Sequence, residues 1–282
     1  MKSFMKIAFV AGLLGVQAPA LLAQWPAHPT PRVPKGADGK PNLTAPAPRT
    51  ADGKIDLSGI WATGGGGGQR GARGAANPAT PAAPVNPIPV ATFGNAGQGF
   101  PEGLPMQPWA SDLVKKRMAD NSKDNPDAHC LPMGFMQFHN HPEPRKIIQT
   151  PEVTMIIYEA NSGLRQIFTD GRALPPADAE PWWYGYSVGK WEGDTFVVET
   201  RNFRDGEWLD VRGSPLTDAA KVTEKFRRPT YGTLEIEITV DDPKAYTKPW
   251  TVRINQRVML DTELIEFICE ERDATHYVGA QP

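Results

Sequence analysis

From residue 153 onward, apolar side chains recur at every second position, and the alternation restarts after each short polar turn. A period of two belongs to a β-strand with one dry and one wet face. Leu234, Ile236, Ile238 and Val240 share one face while Glu235, Glu237 and Thr239 share the other; Trp250, Val252, Ile254 and Val258 repeat the pattern. The pattern predicts four hairpins. Residues 153–159 pair with 164–169 across Asn161-Ser162-Gly163, and 187–191 with 195–201 across Glu192-Gly193-Asp194, each glycine standing where a positive φ is needed. Residues 221–227 pair with 234–240 across 229–232, and 250–258 with 264–270 across 260–262. Such a meander hides its edges by closing into a barrel or a sandwich. The expected fold is all-β, an antiparallel up-and-down β-barrel over residues 111–278, with a long irregular N-terminal arm and one or two short helices.

The helices are read from caps. Ser111 caps a helix over residues 112–119 with Val114 and Met118 on one face, and Asp241 or Asp242 with Pro243 starts a single turn through Tyr246. Ahead of the barrel the periodicity fails. Residues 1–23 carry Lys2 and Lys6 beside an apolar run over 7–16, too short to span a bilayer, and end in Ala23. They read as a signal peptide, which makes the product periplasmic or secreted. Residues 24–57 form an arm with an internal duplication: Ala37-Asp38-Gly39-Lys40 recurs as Ala51-Asp52-Gly53-Lys54, two Asp-Gly turns. Residues 58–63 are a candidate first strand, and 64–110 a flexible Gly/Pro-rich tract.

Composition sharpens this division. The chain holds 29 prolines and 27 glycines in 282 residues, and they crowd into 24–110. With 30 basic and 32 acidic groups, loss of Lys2 and Lys6 takes the charge from −2 to −4. Nothing in that balance attracts nucleic acid, and no second apolar run offers a transmembrane anchor. The two cysteines, Cys130 and Cys269, exclude a four-cysteine zinc site; in an oxidising compartment their even count favours a disulfide.

Three clusters carry candidate chemistry. Glu224 falls on the apolar face with Val222 and Phe226, and Glu266 shares a face with Leu264 and Ile268. Converging inside a barrel they would make an acid/base pair for cleavage, elimination or hydration; core glutamates are more commonly paired with arginines such as Arg145, Arg165 or Arg253. The aromatic run Trp182, Trp183, Tyr184 and Tyr186 at a barrel mouth, with Arg165 and Arg145, is the expected binding set for a small apolar or aromatic ligand or a sugar. His139-Asn140-His141 puts two imidazoles on one face of an extended segment; with His129 they could bind zinc or copper, although no cofactor is required by the rest of the sequence. There is no Gly-X-Ser-X-Gly, no His-Glu-X-X-His and no dinucleotide fingerprint. An exported, soluble barrel that binds a small apolar or aromatic ligand in its lumen is therefore the first expectation, a secreted carboxylate-dependent lyase or hydrolase acting on a glycan or plant-derived aromatic the second, and a periplasmic metal binder the third.

Two resemblances add to this. Leu57-Ser58-Gly59-Ile60-Trp61 resembles the Gly-X-Trp opening strand of lipocalin-like, or calycin, barrels. Residues 130–272 resemble a widespread family of exported bacterial proteins with no established activity, through Arg165-Gln166-Ile167-Phe168-Thr169-Asp170-Gly171-Arg172, Trp191-Glu192-Gly193-Asp194-Thr195 and Asp241-Asp242-Pro243-Lys244-Ala245-Tyr246-Thr247-Lys248-Pro249-Trp250. The resemblance implies export and brings no mechanism. Where many members carry histidines this chain has Ser214 and Leu216, which argues against a histidine-based chemistry at that loop.

Overall fold

A computed structural model describes residues 28–63, 88–267 and 269; the expected signal peptide at 1–23 and the glycine run within 64–87 lie outside the described residues. In chain order the strands are β1 (Gly59–Thr63), β2 (Arg145–Gln149), β3 (Val153–Tyr158), β4 (Leu164–Phe168), β5 (Tyr186–Glu192), β6 (Thr195–Arg201), β7 (Glu207–Trp208), β8 (Pro215–Leu216), β9 (Lys221–Thr230), β10 (Thr233–Asp241) and β11 (Trp250–Met259). Helices α1 (Pro108–Ala119) and α2 (Phe135–Asn140) precede β2. Nine strands close a barrel in the order β1-β11-β10-β9-β6-β5-β4-β3-β2, while β7 and β8 pair outside it. The expected all-β barrel is therefore present. Its faces follow the alternation: Val222, Glu224, Phe226 and Arg228 of β9, Leu234, Ile236, Ile238 and Val240 of β10, and Trp250, Val252 and Ile254 of β11 are buried.

Five details differ from expectation, each for a local reason. The pair β4–β5 is parallel, Ile167 opposite Ser187 and Phe168 opposite Val188, because residues 169–185 carry the chain back before β5 begins. The fourth hairpin does not form among the described residues. The far edge of β11 is taken by β1, with Ile60 opposite Met259 and Trp61 opposite Val258, so 262–267 run as irregular chain. In the first hairpin Asn161 and Ser162 adopt the positive φ, while Gly163 is extended at φ −63°. A Cβ at Gly163 would lie 2.7 Å from the Phe138 ring, so close packing explains this glycine. Helix α1 starts at Pro108, not after Ser111, and its Val114 is buried while Met118 is exposed. The tract does not stay loose up to Ala110: Val90 pairs with Arg253, Met106 with Tyr246, and Ala91 and Ala96 are buried.

The arm folds twice in the same way. Gly36 N–H donates to Lys40 O and Asn42 N–H to Pro34 O; in the second copy Thr50 N–H donates to Lys54 O and Asp56 N–H to Pro48 O. Gly39 and Gly53 supply the positive φ, +75° and +82°. The arm reaches the barrel through Arg49, whose two Nη donate to Asp194 at 2.9 and 2.8 Å.

Helix α2 decides what the barrel can do. All six of its residues are buried. Phe138 stacks on Tyr158 of β3 at 4.5 Å, His139 meets Phe226 of β9 at 5.9 Å, and Gln256 of β11 donates to His139 O at 2.9 Å. These partners point inward from three different strands, so α2 plugs the lumen. At its start a Cβ on Gly134 would fall 2.1 Å from Trp208 O; only glycine lets β7 close over the plug. The loop before α2 is held by the Cys130–Cys269 disulfide, Cα–Cα 5.5 Å, which ties the plug's entry to the chain after β11.

Candidate ligand-binding site

The polar cluster inside the barrel is built from inward positions of five strands and from α2. Glu224 of β9 accepts from Arg165 Nη1 at 2.9 Å, from Arg165 Nη2 in a closer contact, and lies 2.9 Å from His139 Nε2. Arg165 of β4 donates further to Ser187 Oγ of β5 at 3.1 Å and to Thr200 Oγ1 of β6 at 2.9 Å. The Tyr158 hydroxyl stands 3.4 Å from His139 Nδ1. Burial alone would raise the Glu224 carboxyl, but the Arg165 charge and the His139 hydrogen bond overcome it and hold Glu224 at about 2. Burial lowers His139, and the Glu224 contact only partly offsets it, so the ring is neutral at neutral pH. Glu224, His139 and Arg165 are exposed by no more than 2%. Their lone pairs and protons are spent on one another.

The ends of α2 carry two further buried ionisable groups. Arg145 of β2 donates to the carbonyls of His139, His141 and Glu143 at 2.7, 2.6 and 2.7 Å. A cation at a helix C-terminus meets both the free carbonyls and the dipole. Burial brings Arg145 down to about 10, still cationic at neutral pH. At the other end Glu207 of β7 is 2% exposed, and neither of its carboxyl oxygens has a well-formed hydrogen bond among the described residues. Burial raises its pKa well above the carboxylate range, with the Phe135 amide pulling weakly the other way.

The remaining sequence candidates scatter. Glu266 is exposed on irregular chain and does not join Glu224 in the lumen, because the strand expected to carry it is displaced by β1. The segment 139–141 is the end of a helix, not an extended piece: His139 turns to Glu224, and His141 Nδ1 lies 2.5 Å from Glu143 Oε2 with Phe93 edge-on at 4.7 Å. His129 is exposed and sits 3.0 Å from Lys123 O. Among the described residues no three His, Cys, Asp or Glu groups gather to hold a metal, and Cys130 is committed to its disulfide.

The aromatic run divides: Trp182 and Tyr186 lie on the outer face, and Tyr184 turns toward the plug. Ser187 points inward to Arg165, so its neighbour Tyr186 points out, as does Phe168 on β4. The two rings stack at 5.2 Å with 28° between planes. Trp182 adds a tilted ring at the end of this stack, 5.1 Å from Tyr186 with 59° between planes. Arg172 closes the other end, its guanidinium 3.9 Å over Phe168 with Nη1 3.1 Å from the Tyr186 hydroxyl. Trp182 is 40% exposed. Trp183 turns away to meet Arg204 at 4.9 Å, and Tyr184 packs edge-on against Phe138 of the plug at 5.4 Å. The sequence missed Phe168, Arg172, Ser187, Thr200, Tyr158 and Glu207. The inward polar pair Ser187 and Thr200 breaks the alternation as Glu224 does, and that signal was available. No family model, curated protein or solved structure matches this chain.

Proposed function

We propose that this chain is an exported binding protein that takes a small ring-bearing ligand, an aromatic compound or a sugar, on the outer stack at the β4–β5 join. The observation that carries the reading is Trp182, a large ring 40% exposed at the open end of the stack Trp182–Tyr186–Phe168–Arg172. A flat ligand that adds to this row of rings covers the exposed Trp182 face, and aromatic pairs gain beyond the area they bury. Asp170 and Arg172, joined by hydrogen bonds at 2.9 and 3.0 Å, place acceptors and donors beside it. The disulfide supports an oxidising compartment and so the exported reading. A ligand in the lumen, the other form of this function, would have to displace α2. The acid/base reading is weaker because Glu224 is buried and saturated and Glu266 lies elsewhere.

The test is a titration with phenolic acids and oligosaccharides, read by tryptophan emission and calorimetry. Binding is expected to weaken about tenfold or more in Trp182→Ala, the scale of a lost stacking contact of about 1.4 kcal/mol. Unchanged affinity in Trp182→Ala, or no binding across the panel, refutes the reading.

A further inference from the structure

One joint of the barrel is unlike the rest. β4 and β5 meet only at Ile167–Ser187 and Phe168–Val188, in parallel. By contrast, β10 and β11 stay paired from Thr233–Arg257 to Val240–Trp250, and β5 and β6 from Tyr186–Arg201 to Glu192–Thr195, both antiparallel. Parallel pairing is the weaker kind, and the least bonded part of a fold opens first. The chain that crosses this joint does not pin it. None of residues 169–185 is fully buried, and the segment is tied at its two ends to opposite sides: Thr169 N–H donates to Glu152 O at 2.8 Å just before β3, and Trp182 N–H to Asn202 O at 2.9 Å just after β6.

Side chains close the joint instead. On the outside Phe168 of β4 stacks on Tyr186 of β5 at 5.2 Å. On the inside Arg165 reaches across from β4. Its Nη2 donates to Ser187 Oγ of β5 at 3.1 Å and to Thr200 Oγ1 of β6 at 2.9 Å, and its Nη1 to Glu224 of β9 at 2.9 Å. One side chain therefore links β4 to the three strands beyond the joint. Ser187 and Thr200 are buried, so neither hydroxyl meets solvent while the wall is closed.

We propose that the β4–β5 joint is a gate in the barrel wall, bolted from inside by Arg165, which opens while the rest of the barrel stays paired and gives Ser187 a route to solvent. The gate rests on the short pairing and the bolt, and holds whether or not a ligand sits on the outer stack. The experiment uses the full chain with its disulfide intact, carrying Ser187→Cys or, for comparison, Val252→Cys. Val252 is fully buried on β11, opposite Ile238 in the long joint with β10. Alkylation by N-ethylmaleimide is followed by mass spectrometry at urea concentrations below the unfolding transition. Ser187→Cys is expected to react at least about a hundredfold faster than Val252→Cys, at a rate that hardly depends on urea, because a local opening exposes little surface. Val252→Cys reacts only through global unfolding, and its rate climbs with urea. Adding Glu224→Leu with Arg165→Met draws the bolt without stranding a charge. It is expected to widen the ratio between the two cysteines about tenfold, the scale of the hydrogen bonds lost to Ser187 and Thr200. The unsubstituted chain gives a second reading: amide hydrogen exchange over residues 186–188 is expected to be urea-independent where exchange over 236–240 is not. Equal rates for the two cysteines, a ratio unmoved by loss of Arg165, or exchange that depends on urea alike in both segments overturns the proposal.

Discussion

Arg165 and Arg172 carry the same guanidinium on opposite sides of one barrel wall, and their surroundings differ in what they leave free. Inside, Arg165 is bound by Glu224, Ser187 and Thr200, with Phe135 5.6 Å below it, and 2% of it meets solvent. Outside, Arg172 is held by Asp170 and Tyr186 and lies on Phe168, which leads to an exposed Trp182. Both sets combine an arginine, a carboxylate and aromatic rings. A composition argument would rank them equally as sites. Access and saturation separate them: a group whose bonds are all made within the fold holds the fold, and one at the end of an open stack can meet a ligand.

The largest expected effect tests the interior half of that contrast. Glu224→Gln leaves Arg165 buried without its counter-charge, and removing one partner of a buried pair costs about 3–5 kcal/mol. The urea midpoint should fall accordingly, while Arg172→Gln leaves it in place. Replacing both partners by apolar residues, Glu224→Leu with Arg165→Met, should recover much of the loss, because neither charge is then stranded. If Glu224→Gln is as stable as the parent, the cluster is not what holds α2, and the interior becomes the better place to look for chemistry.

A second measurement compares the two buried glutamates. Glu224 is held at about 2 and Glu207 is raised well above its ordinary value, so they respond to pH with opposite signs. For Glu224 the folded value lies below the unfolded one; its contribution is present above about 4.5 and is lost as pH falls toward 2. For Glu207 the folded state binds the proton more tightly. Its stability is full below about 4.5 and declines as pH rises through the folded value. Glu207→Gln removes that decline. The stability of the variant relative to the parent should grow with pH from about 4.5 upward, by up to about 1.4 kcal/mol per pH unit. Thermal melts between pH 4 and 8 read it directly, and a flat difference would mean that Glu207 is charged and partnered in the fold.

How far the sequence revealed these regions follows from what each depends on. The barrel strands announce themselves because one face is dry, and the period of two survives even the inward Glu224. The plug does not: all six residues of α2 are buried, the polar Gln137, His139 and Asn140 included, and fewer than two turns leave no helical period to detect. Missing α2 misplaced His139 on an extended piece and left the lumen open in expectation. The second error was topological. Nothing local says that β1, far upstream, takes the edge of β11, so residues 264–270 looked like the natural partner and Glu266 seemed to face inward. The aromatic run was visible, but a run of rings does not show which wall of a barrel it covers; Ser187 bonding inward to Arg165 fixes that.

The smallest expected change in stability belongs to the residue given the largest role in binding. Trp61 and Trp182 are both tryptophans on or beside the barrel, yet Trp61 is fully buried, donates to Leu57 O and lies 4.8 Å beneath Arg228. Trp61→Ala removes a core ring and its cavity, a loss of about 3–5 kcal/mol. Trp182→Ala trims a ring that already meets water, and its cost should stay within about 0.5 kcal/mol. Denaturant melts of the two variants beside the parent check the pair. A Trp182 variant that unfolds like the Trp61 one would show that the outer stack braces the parallel join of β4 and β5, and a loss of binding in it would then say nothing about contact with a ligand. A variant that melts with the parent and no longer quenches on titration would assign Trp182 to the ligand alone.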